Sequence, residues 1–271
     1  MAEKKARKVK RRRKTDGDRV NVYALDGSVT KEIALPDVFT SELRPDIISR
    51  ASISIWANKR QPYAPKATAG MRHSVSTWGK GQGVSRVQRL KQGRTAAQSP
   101  GTVGGRRAHP PKVEKCLGKR MNRKEMKLAR LSALAAISDL ERVLSRGHKL
   151  PEEITLPIIV ENNAEKIETT KEAISLLHTL GLSDDLRRAE NGKRVRAGRG
   201  KMRGRRYRMR KSVLIVLSGD CPARKSFTNI LGVDVASVNS LNVDLLAPGG
   251  LPGRLTLMSE AALAEIGKWS S

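Results

Sequence analysis

Few residues in this chain have side chains and spacing suited to catalysis. Of its 271 residues, two are cysteines and four are histidines, and a few short runs are rich in glycine. Cys221 is followed by Pro222-Ala223-Arg224, which suggests a thiolate loop that grips phosphate, but the usual cysteine-to-arginine spacing would put the arginine at position 227, and that residue is Phe227. His73, His109, His148 and His178 show no metal-ligand spacing and no HExxH. No GxSxG elbow is present. A dinucleotide site needs GxGxxG between a strand and a helix, so that backbone can approach the pyrophosphate. The apolar runs 158–160 and 213–217 are followed instead by Glu161-Asn162-Asn163 and Ser218-Gly219-Asp220. No GxxxxGK[ST] occurs, and Gly79, Gly81 and Gly83 lie in an aperiodic stretch, where flexible loop backbone is the simpler reading. The expectation is therefore no enzyme, no metal and no cofactor. Cys116 and Cys221 stand alone, as reduced thiols of a cytoplasmic protein do.

The chemistry that remains is that of charge. The formal net charge is +28, and it is concentrated. Residues 1–14 hold nine Lys/Arg against one acid, and residues 59–115 and 187–211 each hold thirteen against one, so the rest of the chain is slightly acidic. A solvated charged face would intersperse acids. These runs do not, and glycine and proline break up any helix, so they repel themselves in water and become favourable against phosphate. Arginine adds bidentate contacts. Aromatic residues make up only 3%, too few for a single-strand binder built on stacking platforms. No RRM, KH, zinc-finger or helix-turn-helix signature is present. The partner expected is folded RNA, recognised by shape and backbone. In the first segment the candidate contacts are Lys59, Arg60, Lys66, Arg72, His73, Trp78, Lys80, Arg86, Arg89, Lys91, Arg94, Arg106, Arg107, His109 and Lys112. In the second they are Arg194, Arg196, Arg199, Lys201, Arg203, Arg205, Arg206, Tyr207, Arg208 and Arg210. Trp78 and Tyr207 are expected to pack against RNA. Two alternatives stay open: a nucleotide-dependent or RNA-modifying enzyme, against which the missing glycine fingerprint counts, and a DNA-compacting protein, which would bind any duplex equally.

The elements that must carry these segments follow from apolar periodicity. Residues 20–33 alternate about Asp26-Gly27 and predict a β-hairpin. Ile47, Ile48, Ala51 and Ile55 recur at helical spacing after Pro45, predicting a helix over 45–60. Residues 62–115 then lose all periodicity, with eight glycines and five prolines, too long a stretch for a connecting loop. Asn122 and Glu125 suggest a capping box opening one helix whose stripe, Met126, Ala129, Ala133, Ile137, Leu140 and Leu144, runs to Gly147, with His148 as a cation at its end. A strand at 158–160, a helix from Thr169 to Gly181, the second basic segment at 187–211, strands at 213–217, 233–236 and 255–258, a short helix near 222–230 and a Ser259-capped last helix complete the pattern. Alternation of this kind predicts an α/β fold: an open, mostly parallel sheet flanked by helices, with an N-terminal β-hairpin and a long basic loop inserted between two helices. The organisation expected is a basic arm over 1–18 and a single α/β domain over 19–271, interrupted by loops 61–115 and 187–211. No apolar run spans a membrane, and the N-terminus lacks the apolar core of a signal peptide.

Several blocks make the chain resemble a known family. They are Leu35-Pro36-Asp37-Val38-Phe39; Ser76-Thr77-Trp78-Gly79-Lys80-Gly81 with Val84-Ser85-Arg86-Val87; Gly105-Arg106-Arg107-Ala108-His109-Pro110-Pro111-Lys112-Val113-Glu114-Lys115; Asn122-Arg123-Lys124-Glu125 with Leu131-Ser132-Ala133-Leu134-Ala135-Ala136; and Leu246-Ala247-Pro248-Gly249-Gly250 with Pro252-Gly253-Arg254-Leu255-Thr256. The chain thereby resembles the ribosomal protein L4 family of the large subunit, in its archaeal and eukaryotic form, and the resemblance extends over about residues 21–268. The resemblance implies an α/β body, a loop over 61–115 threading through large-subunit ribosomal RNA, and a tip (Trp78, Gly79, Lys80, Gly81, Gln82, Gly83 and Arg86) lining the nascent-peptide exit tunnel. It also implies early subunit assembly, neighbouring ribosomal proteins including the other tunnel-lining protein, transient contact with nascent peptide, and no membrane. Gln82 departs from the arginine common in the family. The basic arm departs from the usual archaeal start, and the chain lacks the long C-terminal extension of eukaryotic members, so an archaeal source is expected.

Overall fold

A computed structural model describes residues 19–151 and 154–270, so the basic arm expected over 1–18 lies outside the described residues. The chain divides into two compact units, one made of residues up to Ile55 and from Arg120 on, the other of Trp56–Lys119. The first is built on a sheet. In chain order its elements are β1 (Arg19–Tyr23), β2 (Val29–Ala34) and α1 (Pro45–Asn58), the last of which runs on into the second unit. The second unit holds two short strands, β3 (Val75–Ser76) and β4 (Arg89–Leu90). The first unit resumes with α2 (Arg123–Ala135), α3 (Leu140–Ser145), β5 (Ile158–Val160), α4 (Thr170–Thr179) and α5 (Ser183–Asn191). Then come β6 (Arg194–Val195), β7 (Tyr207–Arg208), β8 (Leu214–Leu217), α6 (Ala223–Thr228), β9 (Asp234–Ser237), α7 (Val243–Leu246), β10 (Thr256–Ser259) and α8 (Glu260–Gly267).

The central sheet has the order β2-β1-β5-β10-β8-β9. β1 and β2 are antiparallel, while every other neighbouring pair is parallel. The central strands β5, β8 and β10 are buried at every position, as a parallel sheet covered on both faces requires. Successive side chains go to opposite faces. Val20, Val22, Ile159, Leu214, Val216 and Met258 meet Ile47, Ile48 and Ala51 of α1, Ala129, Ala133 and Leu134 of α2, and Leu263 and Ile266 of α8. Ile158, Val160, Ile215, Leu217 and Leu257 meet Ala173, Leu176 and Leu177 of α4, Phe227 of α6 and Val143 of α3. Each large side chain buried in these two cores contributes about 1.5–3 kcal/mol.

Four local expectations need correction. The stripe from Met126 to Leu144 does not form one helix: Ala136 closes α2, and Asp139 opens α3 by accepting from the Glu141 N–H at 3.1 Å. Leu140 and Leu144 are consequently exposed. The side chain of Asn122 makes no cap hydrogen bond. His148 is not a cation at a helix end; it is buried, and burial drives its pKa below the ordinary value, against the pull of Asp185. The basic run 187–211 also begins inside α5, a helix with too few apolar residues for periodicity to reveal.

Candidate nucleic-acid interface

Within the unit Trp56–Lys119, the aperiodic segment takes its form from backbone hydrogen bonds. Val75 pairs with Leu90 and Ser76 with Arg89. Lys91 N–H donates to Ser74 O (3.1 Å), Leu90 N–H to Thr95 O (3.0 Å) and Ala97 N–H to Gln88 O (2.9 Å). Turns at Thr68–Met71 and Thr102–Gly105 add further bonds. Among the described residues of this unit, Ala57 and Ala97 alone are buried apolar residues. Lys59, Arg60, Lys66, Arg72, His73, Lys80, Arg86, Lys91, Arg94, Arg107, His109 and Lys112 are exposed. Trp78, Arg89 and Arg106 are half-buried. The Trp78 ring has the Arg89 guanidinium 5.6 Å and the Arg94 guanidinium 5.8 Å from its centre, within cation–π range. Arg89 is itself held, since its Nη1 donates to Arg94 O at 2.6 Å. Gly79, Gly81 and Gly83 have φ near +77°, +79° and +66°, with no heavy atom beyond their chain neighbours within 4 Å of where a Cβ would stand. At these positions glycine supplies backbone conformation. Gln82 is exposed between them.

The second segment is a two-stranded ribbon. Arg194 pairs with Arg208 and Val195 with Tyr207, and Arg196 N–H donates to Arg206 O at 2.8 Å. Arg194, Arg199, Lys201, Arg203, Arg205, Arg206, Tyr207, Arg208 and Arg210 are exposed, while Arg196 is half-buried, its Nε donating to Arg205 O. Tyr207 has the Lys193 ammonium 5.1 Å and the Arg206 guanidinium 5.5 Å from its ring centre. Among the described residues, none of the ribbon's arginines forms an ion pair with a carboxylate, so their charge faces solvent unneutralised.

Residues that sequence reasoning passed over anchor the ribbon. Asp185 has no exposed surface, and it accepts from Arg188 Nε (2.8 Å), Ser212 Oγ (2.5 Å), Lys149 N–H (3.1 Å) and His148 Nδ1 (3.2 Å). Burial alone would raise its pKa. The hydrogen bonds from His148, Arg188 and Ser212 outweigh burial and hold the carboxyl far below the usual carboxylate range. Arg188 also donates to Lys211 O at 2.9 Å, and Lys211 pairs with Asp234 at 2.7 Å. Fully buried Arg254 donates to Ser212 O (3.0 Å) and Leu245 O (2.9 Å) and stands 2.7 Å from Asp234. Asp185 and Arg188 lie three apart on α5, a helix without apolar periodicity, and their partners are distant along the chain, so no sequence signal pointed to them.

At the carboxyl ends of β5, β8 and β10, where open α/β sheets often bind ligands, the polar groups satisfy one another. Glu165 accepts from Ser218 N–H and Oγ (both 2.8 Å), Ser259 Oγ (2.6 Å) and the Cys221 thiol (3.3 Å). Burial and the neighbouring Glu165 push the Cys221 thiol up, away from the thiolate a nucleophile requires.

The family model described as "Ribosomal protein L4/L1 family" matches residues 33–269. The large ribosomal subunit protein uL4 of Archaeoglobus fulgidus is 46% identical over 251 residues, 93% of this chain and 99% of the relative. Those of Methanocaldococcus jannaschii and Methanococcus maripaludis are 48% and 49% identical, covering 90% and 91% of this chain and 96% and 98% of the relatives.

Proposed function

Because the chain belongs to the ribosomal protein L4/L1 family, we propose that it is a structural constituent of the large ribosomal subunit that holds folded ribosomal RNA through its two cationic segments. The observation that carries this reading is the mismatch between charge and burial in Trp56–Lys119. Residues 59–115 hold thirteen Lys/Arg and one acid, yet just two apolar residues of the described unit are buried. An apolar core does not stabilise such a unit, and in water its charges repel. Laid against RNA backbone, each cation releases counterions and the turns gain phosphate partners. Trp78, flanked by two guanidinium groups, suits packing against a base or sugar at the same surface.

The sheet and its two helical layers serve as a mount. The Asp185 and Arg254 networks fix both roots of the β6–β7 ribbon to that mount, so the second segment meets RNA already ordered. In the assembled subunit, loop 61–115 lies among ribosomal RNA, and its tip over Trp78–Gly83 and Arg86 lines the nascent-peptide exit tunnel beside another ribosomal protein, with the nascent peptide passing it. The protein joins early in subunit assembly, and its place is the cytoplasmic ribosome. The family resemblance and the open glycine-rich turn support these finer assignments.

The test is competition between folded large-subunit ribosomal RNA and duplex DNA, at equal phosphate concentration, for the purified chain. Preference for the RNA by about 10³-fold, the lower end of specific over non-specific discrimination, is the expected result. Equal affinity would replace this reading with charge-driven compaction of any nucleic acid.

A further inference from the structure

Where the β6–β7 ribbon joins the body there is a cleft of about 390 Å³, lined by Lys149, Asp184, Arg187, Arg188, Gly192 and Arg210 among others. One of its lining residues is anchored: the buried Asp185 carboxylate holds Arg188, which also reaches Lys211 O. That ion pair is neutral as a unit. Lys149, Arg187 and Arg210 remain against Asp184, and among the described residues none of the three forms an ion pair. Cations outnumber acids at the rim, and α5 ends here with carbonyl groups that favour cations, not anions. An anion entering the cleft is therefore held by side chains alone.

Gly192 supplies an independent observation. Its backbone, at φ −78° and ψ −5°, is ordinary helical geometry that any residue adopts. Space, not conformation, is what glycine provides: a Cβ there would stand 2.7 Å from Arg210 Cγ, 2.9 Å from Arg210 Cδ and 3.1 Å from the Arg188 carbonyl oxygen. The missing side chain lets the Arg210 stem lie across the end of α5, among the residues that line the cleft.

We infer that this cleft is a phosphodiester-binding site for the RNA strand that runs along the ribbon, with Arg187, Lys149 and Arg210 as its ligands and Gly192 as the residue that positions Arg210. The inference rests on the RNA-binding reading above and adds a named site to it. RNA is favoured over a free anion because Gly192 and Arg210 are the two roots of the ribbon. A backbone following Arg194, Arg208 and Arg196 therefore arrives at the cleft.

The experiment measures binding of the full chain to folded large-subunit ribosomal RNA across a salt series. Three proteins are compared: wild type, Lys149→Ala/Arg187→Ala, and Lys166→Ala/Lys171→Ala, the last removing two exposed lysines outside the cleft. The cleft pair is expected to make the log K slope shallower by about two, near one per phosphate-contacting cation, and to weaken binding at least about tenfold. The outside pair should change the slope by less than about one. Gly192→Ala should weaken binding alone and have no further effect once Arg210→Ala is present, the signature of two residues acting as one. If wild type itself shows no salt-dependent binding to this RNA, the RNA-binding reading falls. If wild type binds but the cleft pair loses no more than the outside pair, the cleft is ordinary cationic surface and the inference is wrong. Additive losses in the Gly192/Arg210 cycle, or unfolding of Gly192→Ala, would overturn the positioning role. Inorganic phosphate that competed as well as the RNA at equal phosphate concentration would show a free-anion site instead.

Discussion

Arg254 shows how single residues tie the sheet to the ribbon. It has no exposed surface, so removing it leaves buried carbonyls and the Asp234 carboxylate short of a partner. Breaking a buried pair costs about 3–5 kcal/mol, and Arg254→Met is expected near the lower end because Lys211 still reaches Asp234. Urea unfolding checks this, and a loss under about 1 kcal/mol would mean that the ion pair is dispensable. His148 and Asp185 each contribute to the pH response, alongside Glu165 and Asp234, which are also held below their ordinary values. The first two are held below their ordinary values of 6.5 and 3.8, so the unfolded chain binds more protons in each case and stability falls as pH falls. The first loss begins as pH drops through about 6.5, where unfolded histidine protonates, and a second begins below about 4, where unfolded aspartate does. Thermal unfolding between pH 8 and pH 5 should show a falling midpoint in wild type and a flatter profile in His148→Gln. Equal profiles would place His148 outside the pH response.

Among the elements, α2 and α3 show what apolar spacing conveys and what it hides. The stripe through Met126, Ala129 and Ala133 reads correctly, but the period does not reveal that Asp139 prefers to cap a new helix. Asp139→Ala should cost about 1 kcal/mol through loss of that cap, measurable as a lower urea midpoint; no change would show that α3 starts without it. The strands β5, β8 and β10 were legible because continuous apolar runs bounded by turns leave little else to be. The helix α5 was not, since its sequence SDDLRRAEN offers only Leu186 and Ala189 as apolar residues. The pairs β3–β4 and β6–β7, two residues per strand, are too short for any alternation to register. The cationic residues were legible as a set, from charge without acids. Their anchors were not, because Asp185, Ser212, Asp234 and Arg254 meet only after the sheet forms. At the tip, Gly81→Val should be strained by roughly 1–2 kcal/mol from its positive φ, while its Cβ meets open space. The body should keep its unfolding midpoint while RNA binding or subunit maturation suffers. A lowered body midpoint would make Gly81 part of the mount.

For the whole molecule, the division of labour is between a mount with a large apolar core and cationic segments with little apolar core of their own. Replacing residues 62–115 with a Gly/Ser linker removes most of a unit with two buried apolar residues and shortens a loop whose closure entropy grows only slowly with length. The cooperative unfolding of the mount should survive, while ribosomal RNA affinity falls and its salt slope becomes shallower, leaving the binding contributed by the ribbon. The most direct test of the account is the salt dependence of the intact chain binding folded large-subunit ribosomal RNA. If the two segments together neutralise about ten phosphates, log K against log salt should fall with a slope of roughly −7 to −9. A slope near zero between low and physiological salt would contradict the account, because exposed arginines and lysines that release no counterions are not holding the RNA.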